Sequence, residues 1–219
     1  MLQPAFINSP DQLPATQTAL RSPDGLLAVG GQVTVDYLIN FYPKGVYPCY
    51  SDQEPILWWT PWQRWVLFSN ELRVNRSLKK ALRRQDWQLN CNQNFEQVLT
   101  NCAAPRKQAT GQWLNTELQQ SMLQLHQQGL AHSIELYLED QLVGGFYGLK
   151  FGEVFFGESM FSLVSDASKV ALAMFCLHQP IGPIKLIDCQ QRSNHCLAMG
   201  ARCLARHEFE PLLRKWTLL

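Results

Sequence analysis

Three polar residues stand where chemistry could be done: Glu158, Asp188 and Gln190, each just past an apolar run. Residues 154–177 read VFFGESMFSLVSDASKVALAMFCL. The run begins as an apolar strand, breaks at Gly157, presents Glu158, Ser159 and Met160, and restarts as a helix after the capping candidates Ser165 and Asp166. A second short strand over 184–189 ends in Asp188-Cys189-Gln190. Two strand ends thus bring carboxylates and an amide beside a wall of Phe155, Phe156, Phe161 and Phe175. A pair of carboxylates opening next to an apolar hollow suits a ligand with one apolar and one cationic end. Two plainer roles compete: Asp188 as the cap of a helix starting near Ser193, and Glu158 in an ion pair with Lys169 or Lys185.

A second chemical signal lies in residues 72–84, LRVNRSLKKALRR. Val74, Leu78, Ala81 and Leu82 keep helical spacing, which turns one face inward. Arg73, Arg76, Lys79, Lys80, Arg83 and Arg84 take the remaining positions, with no acid between Glu71 and Asp86. Unrelieved like charges repel by a few tenths of a kcal/mol per close pair, roughly. Phosphates would neutralise such a face; solvation alone is the competing account. Charge is also uneven along the chain: residues 1–110 carry 11 Lys/Arg against 8 Asp/Glu, and 111–219 carry 8 against 10, for a net +1. One half is suited to a polyanion and the other to something cationic.

The elements that must hold these groups follow from pattern. Residues 1–33 are turn-rich; Thr34 caps a helix whose stripe is Val35, Leu38, Ile39 and Tyr42, ended by Pro43 and Gly45. Pro55 and Pro61 bracket an extended segment with Trp58 and Trp59 facing opposite sides. A short helix covers 94–99, a polar loop 103–111, and a clear helix 116–128 with Leu118, Met122 and Leu125 inside and Gly129 as its stop. From Ser133 the period becomes two: 134–138, a turn at Glu139-Asp140-Gln141, and 142–151 read as an antiparallel hairpin. A third strand over 153–156, a helix over 166–178 and the strand 184–189 add a βαβ-like crossover, with brief helices over 193–199 and 207–216. The fold class is α+β.

Bulk properties narrow the class. A 46% hydrophobic content supports a packed core, and MLQPAFINSP has neither the basic start nor the apolar stretch of a secretion signal. The strongly apolar run 170–177 is too short to span a bilayer, so no membrane role is expected. Seven cysteines, an odd number without a CxxC pair, fit a reducing cytoplasm and no zinc ribbon. Cys189, Cys196 and Cys203 recur every seven residues near His195 and His207, but buried free thiols are the commoner fate of such positions. No metal is expected.

With these residues in view, the sequence resembles the leucyl/phenylalanyl-tRNA–protein transferase family over nearly its whole length. The matching blocks are Asp24-Gly25-Leu26-Leu27-Ala28-Val29-Gly30-Gly31, Pro55-Ile56-Leu57-Trp58-Trp59, Ala131-His132-Ser133-Ile134-Glu135, Leu142-Val143-Gly144-Gly145, Phe156-Gly157-Glu158-Ser159-Met160-Phe161-Ser162 and Leu186-Ile187-Asp188-Cys189-Gln190. The resemblance implies a small N-terminal α/β domain over 1–62 and an acetyltransferase-like (GNAT) catalytic domain over 63–219 that carries the basic helix 72–84. It implies transfer of Leu or Phe from the 3′ acceptor end of aminoacyl-tRNA to proteins with N-terminal Arg or Lys, marking them for degradation. A cytoplasmic monomer without cofactor or metal is expected.

The resemblance also distributes roles. Asp188 and Gln190 match the catalytic pair, with Gln190 positioning the amine and Asp188 supporting it electrostatically; a glutamine is a poor proton acceptor. Glu158 reads positive charge on the acceptor or aminoacyl ammonium. Phe146, Phe155, Met160, Phe175 and Ile187 line the side-chain pocket, Tyr42 and Trp113 stack the terminal adenosine, and the six cations of 73–84 hold tRNA phosphates. Departures from the family pattern at Cys49, Met122, Gln179 and Ser193 fall around the adenosine and side-chain pockets. Two other functions are open to such a chain: an acyl-CoA-dependent acetyltransferase, which wants a glycine-rich pyrophosphate turn that 157–166 lacks, and a non-catalytic tRNA-binding protein.

Overall fold

Prolines and tight turns cut the first sixty residues into strands too short for more than a small sheet. In the computed structural model, which describes residues 3–51, 53–83, 86–104 and 115–217, these are β1 (Ala5–Ile7), β2 (Leu26–Gly30), β3 (Tyr47–Pro48) and β4 (Leu57–Trp59). They pair in the order β1-β2-β4-β3. Helix α1 (Val35–Phe41) packs on this sheet after Thr34 and stops where Gly45 takes φ +77°. Trp58 is fully buried and stacks on Tyr37 at 5.8 Å, while Trp59 keeps part of its surface, so the expected two-sided alternation is observed.

The remaining strands form a seven-stranded sheet. In chain order they are β5 (Gln63–Phe68), β6 (Trp87–Cys91), β7 (Ala131–Leu138), β8 (Gln141–Phe151), β9 (Val154–Ser162), β10 (Leu186–Asp188) and β11 (Arg202–Ala205). Their spatial order is β11-β5-β10-β9-β8-β7-β6. All neighbours are antiparallel except β9 and β10, which run parallel because α5 (Ala167–His178) carries the chain back across the sheet. Helix α5 packs on one face with α2 (Arg76–Leu82) and α6 (Asn194–Ala198). The other face meets α3 (Phe95–Ala103), α4 (Thr116–Gln127), α7 (Arg206–Trp216) and the small sheet in one continuous core. Among the described residues no helix is long and apolar enough to cross a membrane.

Three expectations are corrected. The basic helix is shorter than 72–84: Asn75 caps it by accepting from the Leu78 N–H at 2.9 Å, so Arg73 and Val74 precede it and Val74 is exposed rather than inward-facing. The strand entered at Val154 does not end at Gly157 but runs to Ser162, with a bulge instead of a break. Strands β5, β6 and β11, absent from the pattern reading, complete the sheet.

Candidate active site

The bulge in β9 sets the site. Tyr147 of β8 pairs with Ser159 and Gly148 with Gly157, so Glu158 is the extra residue with no partner across the ladder. At this point β9 and β10 also separate. Asp188, the last residue of β10, pairs with Phe156, and a Cβ on Gly157 would stand only 3.4 Å from the Asp188 carbonyl oxygen. Beyond it the chain turns through Gln190 at φ +58°, a left-handed conformation costly for a residue with a Cβ. The site thus opens past the carboxyl end of β10, beside the bulge within β9, where the sheet leaves a crevice.

Asp188 is completely buried, and Arg64 of β5 grips it from the neighbouring strand. Arg64 Nε donates to Oδ1 at 2.8 Å and Nη2 to Oδ2 at 2.6 Å, a bidentate pair. The guanidinium also lies 4.6 Å from the centroid of the Tyr47 ring. The same Asp188 Oδ1 accepts the backbone N–H of Gln190 at 2.8 Å, which holds the left-handed turn in place. Asp188 therefore supports Gln190 through its backbone and does not reach the side-chain amide. It caps no helix: Ser193 does that for α6, accepting from Cys196 N–H at 3.0 Å.

The partner of the Gln190 side chain is Glu158. Gln190 Nε2 donates to Glu158 Oε1 at 2.7 Å. Lys169 and Lys185, the competing partners for Glu158, pair instead with Asp166 at 2.8 Å and Glu153 at 2.6 Å. Burial pushes the Glu158 carboxyl up to about 7, with the nearby Asp188 charge adding to the rise. The Tyr42 hydroxyl, Gln190 and Arg64 pull the other way. Tyr42 interacts with this carboxylate electrostatically, although its hydroxyl falls short of a well-formed hydrogen bond. With its amide nitrogen committed to a carboxylate, Gln190 is left with its carbonyl as a hydrogen-bond acceptor.

Glu158, Asp188 and Gln190 line a cavity of about 470 Å³. Phe146, Phe155, Met160, Leu172 and Ile187 form its apolar wall. Phe175 does not: it packs behind Phe155 at 5.0 Å and Phe146 at 5.4 Å, holding those rings in place from outside the cavity. Phe156 and Phe161 both turn to the opposite core, because the bulge at Glu158 resets an alternation that would otherwise send residues five apart to opposite faces. Tyr42 is also corrected. Its ring is 1% exposed and packs edge-on against Phe156 at 5.6 Å, so no face is free for an adenine. Trp113 and Arg84 lie outside the described residues.

Arg73, Arg76, Lys79, Lys80 and Arg83 are all exposed around α2, and none forms an ion pair with a described acid. Among the described residues no group of three or more His, Cys, Asp or Glu could hold a metal ion. Cys203 stands exposed on β11 while Cys189 and Cys196 face the cavity, which separates the seven-residue cysteine series. The residue that pattern reading missed is Arg64. Its only local signal is one cation inside the alternating segment Gln63-Arg64-Trp65-Val66-Leu67-Phe68.

Comparison with known proteins places the chain. The family model described as leucyl/phenylalanyl-tRNA protein transferase matches residues 66–214, and that of its N-terminal domain matches 31–61. A protein named leucyl/phenylalanyl-tRNA–protein transferase from Hydrogenovibrio crunogenus is 45% identical, covering 98% of this chain and 85% of the relative. The protein of the same name from Azoarcus sp. is 46% identical over 94% of this chain and 87% of its own length. That from Pseudomonas aeruginosa is 45% identical over 93% and 90%. The solved structure of L-PGS from Bacillus licheniformis aligns at a TM-score of 0.39 and 11% identity, over 77% of this chain and 54% of that one. The chain therefore belongs to the leucyl/phenylalanyl-tRNA protein transferase family.

Proposed function

We propose that this chain moves leucine or phenylalanine, with methionine also accepted, from aminoacyl-tRNA to the N-terminal Arg or Lys of acceptor proteins, marking them for degradation in the cytoplasm. The chain acts as a monomer and uses no metal or cofactor in this reading. The parallel β9–α5–β10 crossover inside an otherwise antiparallel sheet supports an acetyltransferase-like (GNAT) catalytic domain over 63–219. The four short strands before residue 60 form a sheet of their own, which supports a small N-terminal domain over 1–62.

The ester of an aminoacyl-tRNA is already activated, so transfer needs two groups brought together and one proton moved. Holding ester and amine in line contributes on the order of 7–11 kcal/mol in favourable geometry. The aminoacyl side chain enters the hollow of Phe146, Phe155, Met160 and Ile187. Such a wall separates side chains differing by one methylene by only about 1–3 kcal/mol, hence the tolerance among leucine, phenylalanine and methionine. The acceptor ammonium meets Glu158, whose pKa of about 7 sits close to the ~7.7–8.0 of a free α-amine. Glu158 takes the proton, and the Gln190 carbonyl accepts a remaining N–H and aims the lone pair at the ester carbonyl. Attack forms the amide, and the ribose 3′ oxygen leaves with a proton. Arg64 and Asp188 keep Gln190 in its left-handed turn throughout. The exposed cations around α2 bind tRNA phosphates, and Trp113 takes the adenosine-stacking role without Tyr42.

The observation carrying this reading is the Gln190–Glu158 hydrogen bond at the lip of the apolar cavity. The test pairs Leu-, Phe-, Met- and Val-charged tRNAs with peptides starting in Arg, Lys or Ala and follows labelled amino acid into peptide. Transfer of Leu, Phe and Met to Arg- and Lys-peptides supports it. Saturable tRNA binding with no transfer to any peptide would instead favour a non-catalytic RNA-binding protein.

A further inference from the structure

Two thiols line the cavity. Cys189 lies between Asp188 and Gln190, and Cys196 sits in α6. They share that cavity wall and pack in one apolar cluster, near enough for each to shift the other's titration. The two thiols perturb each other: the neighbouring Cys189 lowers the Cys196 thiol to about 7, while Cys189, whose thiol faces the Ile187 carbonyl at 3.9 Å, is held well above the ordinary thiol value. A thiol lowered in this way supplies thiolate, the nucleophilic form, near neutrality.

We propose that Cys189 and Cys196 form a redox modification site, at which a peroxide joins them as a disulfide in the wall of the aminoacyl pocket. The Cys196 thiolate attacks one peroxide oxygen, the other leaves as hydroxide and is protonated to water, and Cys196 becomes a sulfenic acid. Cys189 then attacks that sulfur, its proton leaves with the sulfenic oxygen, and a second water departs. Two electrons pass from the two sulfurs to the peroxide. The two sulfurs are thereby drawn together into a bond of about 2.05 Å. Because Cys189 is flanked by Asp188 and Gln190, that contraction pulls on the left-handed Gln190 turn and narrows the pocket beside Ile187 and Leu172. A thiol reductant reverses the change.

The effect on transfer rests on the proposed function; the bond itself does not. The test treats the reduced full-length protein with hydrogen peroxide, digests it with trypsin without reductant, and maps disulfides by mass spectrometry. Cleavage after Arg192 places the two cysteines on separate peptides, 186–192 and 193–202, so only a disulfide joins them. In parallel, leucine transfer is measured before treatment, after it and after dithiothreitol. The expected result is the joined 186–192/193–202 peptide, with transfer falling about a hundredfold, the cost of displacing a positioning group by ~1 Å, and returning with dithiothreitol. C189S and C196S, each compared with its own untreated rate, should resist the treatment. No joined peptide, or single variants inactivated as fully as the unsubstituted protein, overturns the proposal. Absence of transfer before treatment would count against the proposed function, while the peptide map still decides this one.

Discussion

Glu158 and Gln190, thirty-two residues apart, are joined by a 2.7 Å hydrogen bond that exists only because β9 carries a bulge at Glu158 and the chain after β10 turns left-handed at Gln190. One carboxylate thereby orients the amide that, in the proposed function, positions the incoming amine. It is also a carboxylate whose proton is exchanged near pH 7.

Transfer should depend on the ionised form of Glu158. With its carboxyl raised from 4.5 to about 7, kcat/KM rises with pH through that value as the base form appears. Glu158→Gln should lower kcat/KM by about 10²-fold or more and abolish the limb near 7. The limb near ~8 from the acceptor amine should remain. A variant that keeps the lower limb would assign it to another group.

The same shift has a stability consequence of opposite sense. Between the ordinary value of 4.5 and about 7 the folded state holds the Glu158 proton more tightly than the unfolded chain does. Stability from this group is therefore fully present below 4.5 and lost as pH rises through about 7. Denaturant midpoints measured across that window should fall with pH in the unsubstituted protein and fall less in Glu158→Gln.

Arg64 and Asp188 are buried together, so removing one strands the other. Arg64→Met should cost roughly 3–5 kcal/mol of stability, and Asp188→Ala a similar amount with loss of the Gln190 turn. The double variant Arg64→Met/Asp188→Leu should regain much of that stability, yet transfer should stay low because nothing fixes the Gln190 backbone. Chemical denaturation and a transfer assay on all four proteins check this. Full activity in the double variant would contradict the positioning role.

The cations around α2 should report on nucleic acid alone. Reversing Arg76 and Lys80 to glutamate should weaken tRNA binding and flatten the slope of log K against log salt by about 1.4–1.8, at ~0.7–0.9 per phosphate contact. Stability should change little, since both side chains are exposed and without described ion-pair partners. An unchanged slope would make this a merely solvated face.

How far the sequence could be read follows from the range of the interactions involved. Helices α1 and α4 and the β7–β8 hairpin repeat apolar residues with a period that one segment displays by itself, and they were legible. The Gly157 signal was legible too, but as a break; recognising a bulge requires knowing that Tyr147 faces Ser159 on the next strand. Arg64 was not legible, because its partner lies 124 residues away and a single cation in a strand has no local meaning. Tyr42 carried a ring at a position associated with stacking, and only tertiary packing against Phe156 takes that ring out of reach. Phe175 is read from the sequence as lining the pocket, yet it packs behind Phe146 and Phe155; lining or backing depends on how α5 is rotated, which no local pattern displays. Asp188, Gln190 and Glu158 were legible as a group; their connections were not.

The most direct test is single-turnover leucine transfer to an Arg-starting peptide by the unsubstituted protein and by Gln190→Ala, with tRNA affinity measured on the same samples. The account expects the chemical step to slow about 10²–10³-fold, the scale of losing one preorganised hydrogen-bonding group, while the Kd for charged tRNA stays within a factor of about two. An unchanged single-turnover rate in Gln190→Ala would contradict it.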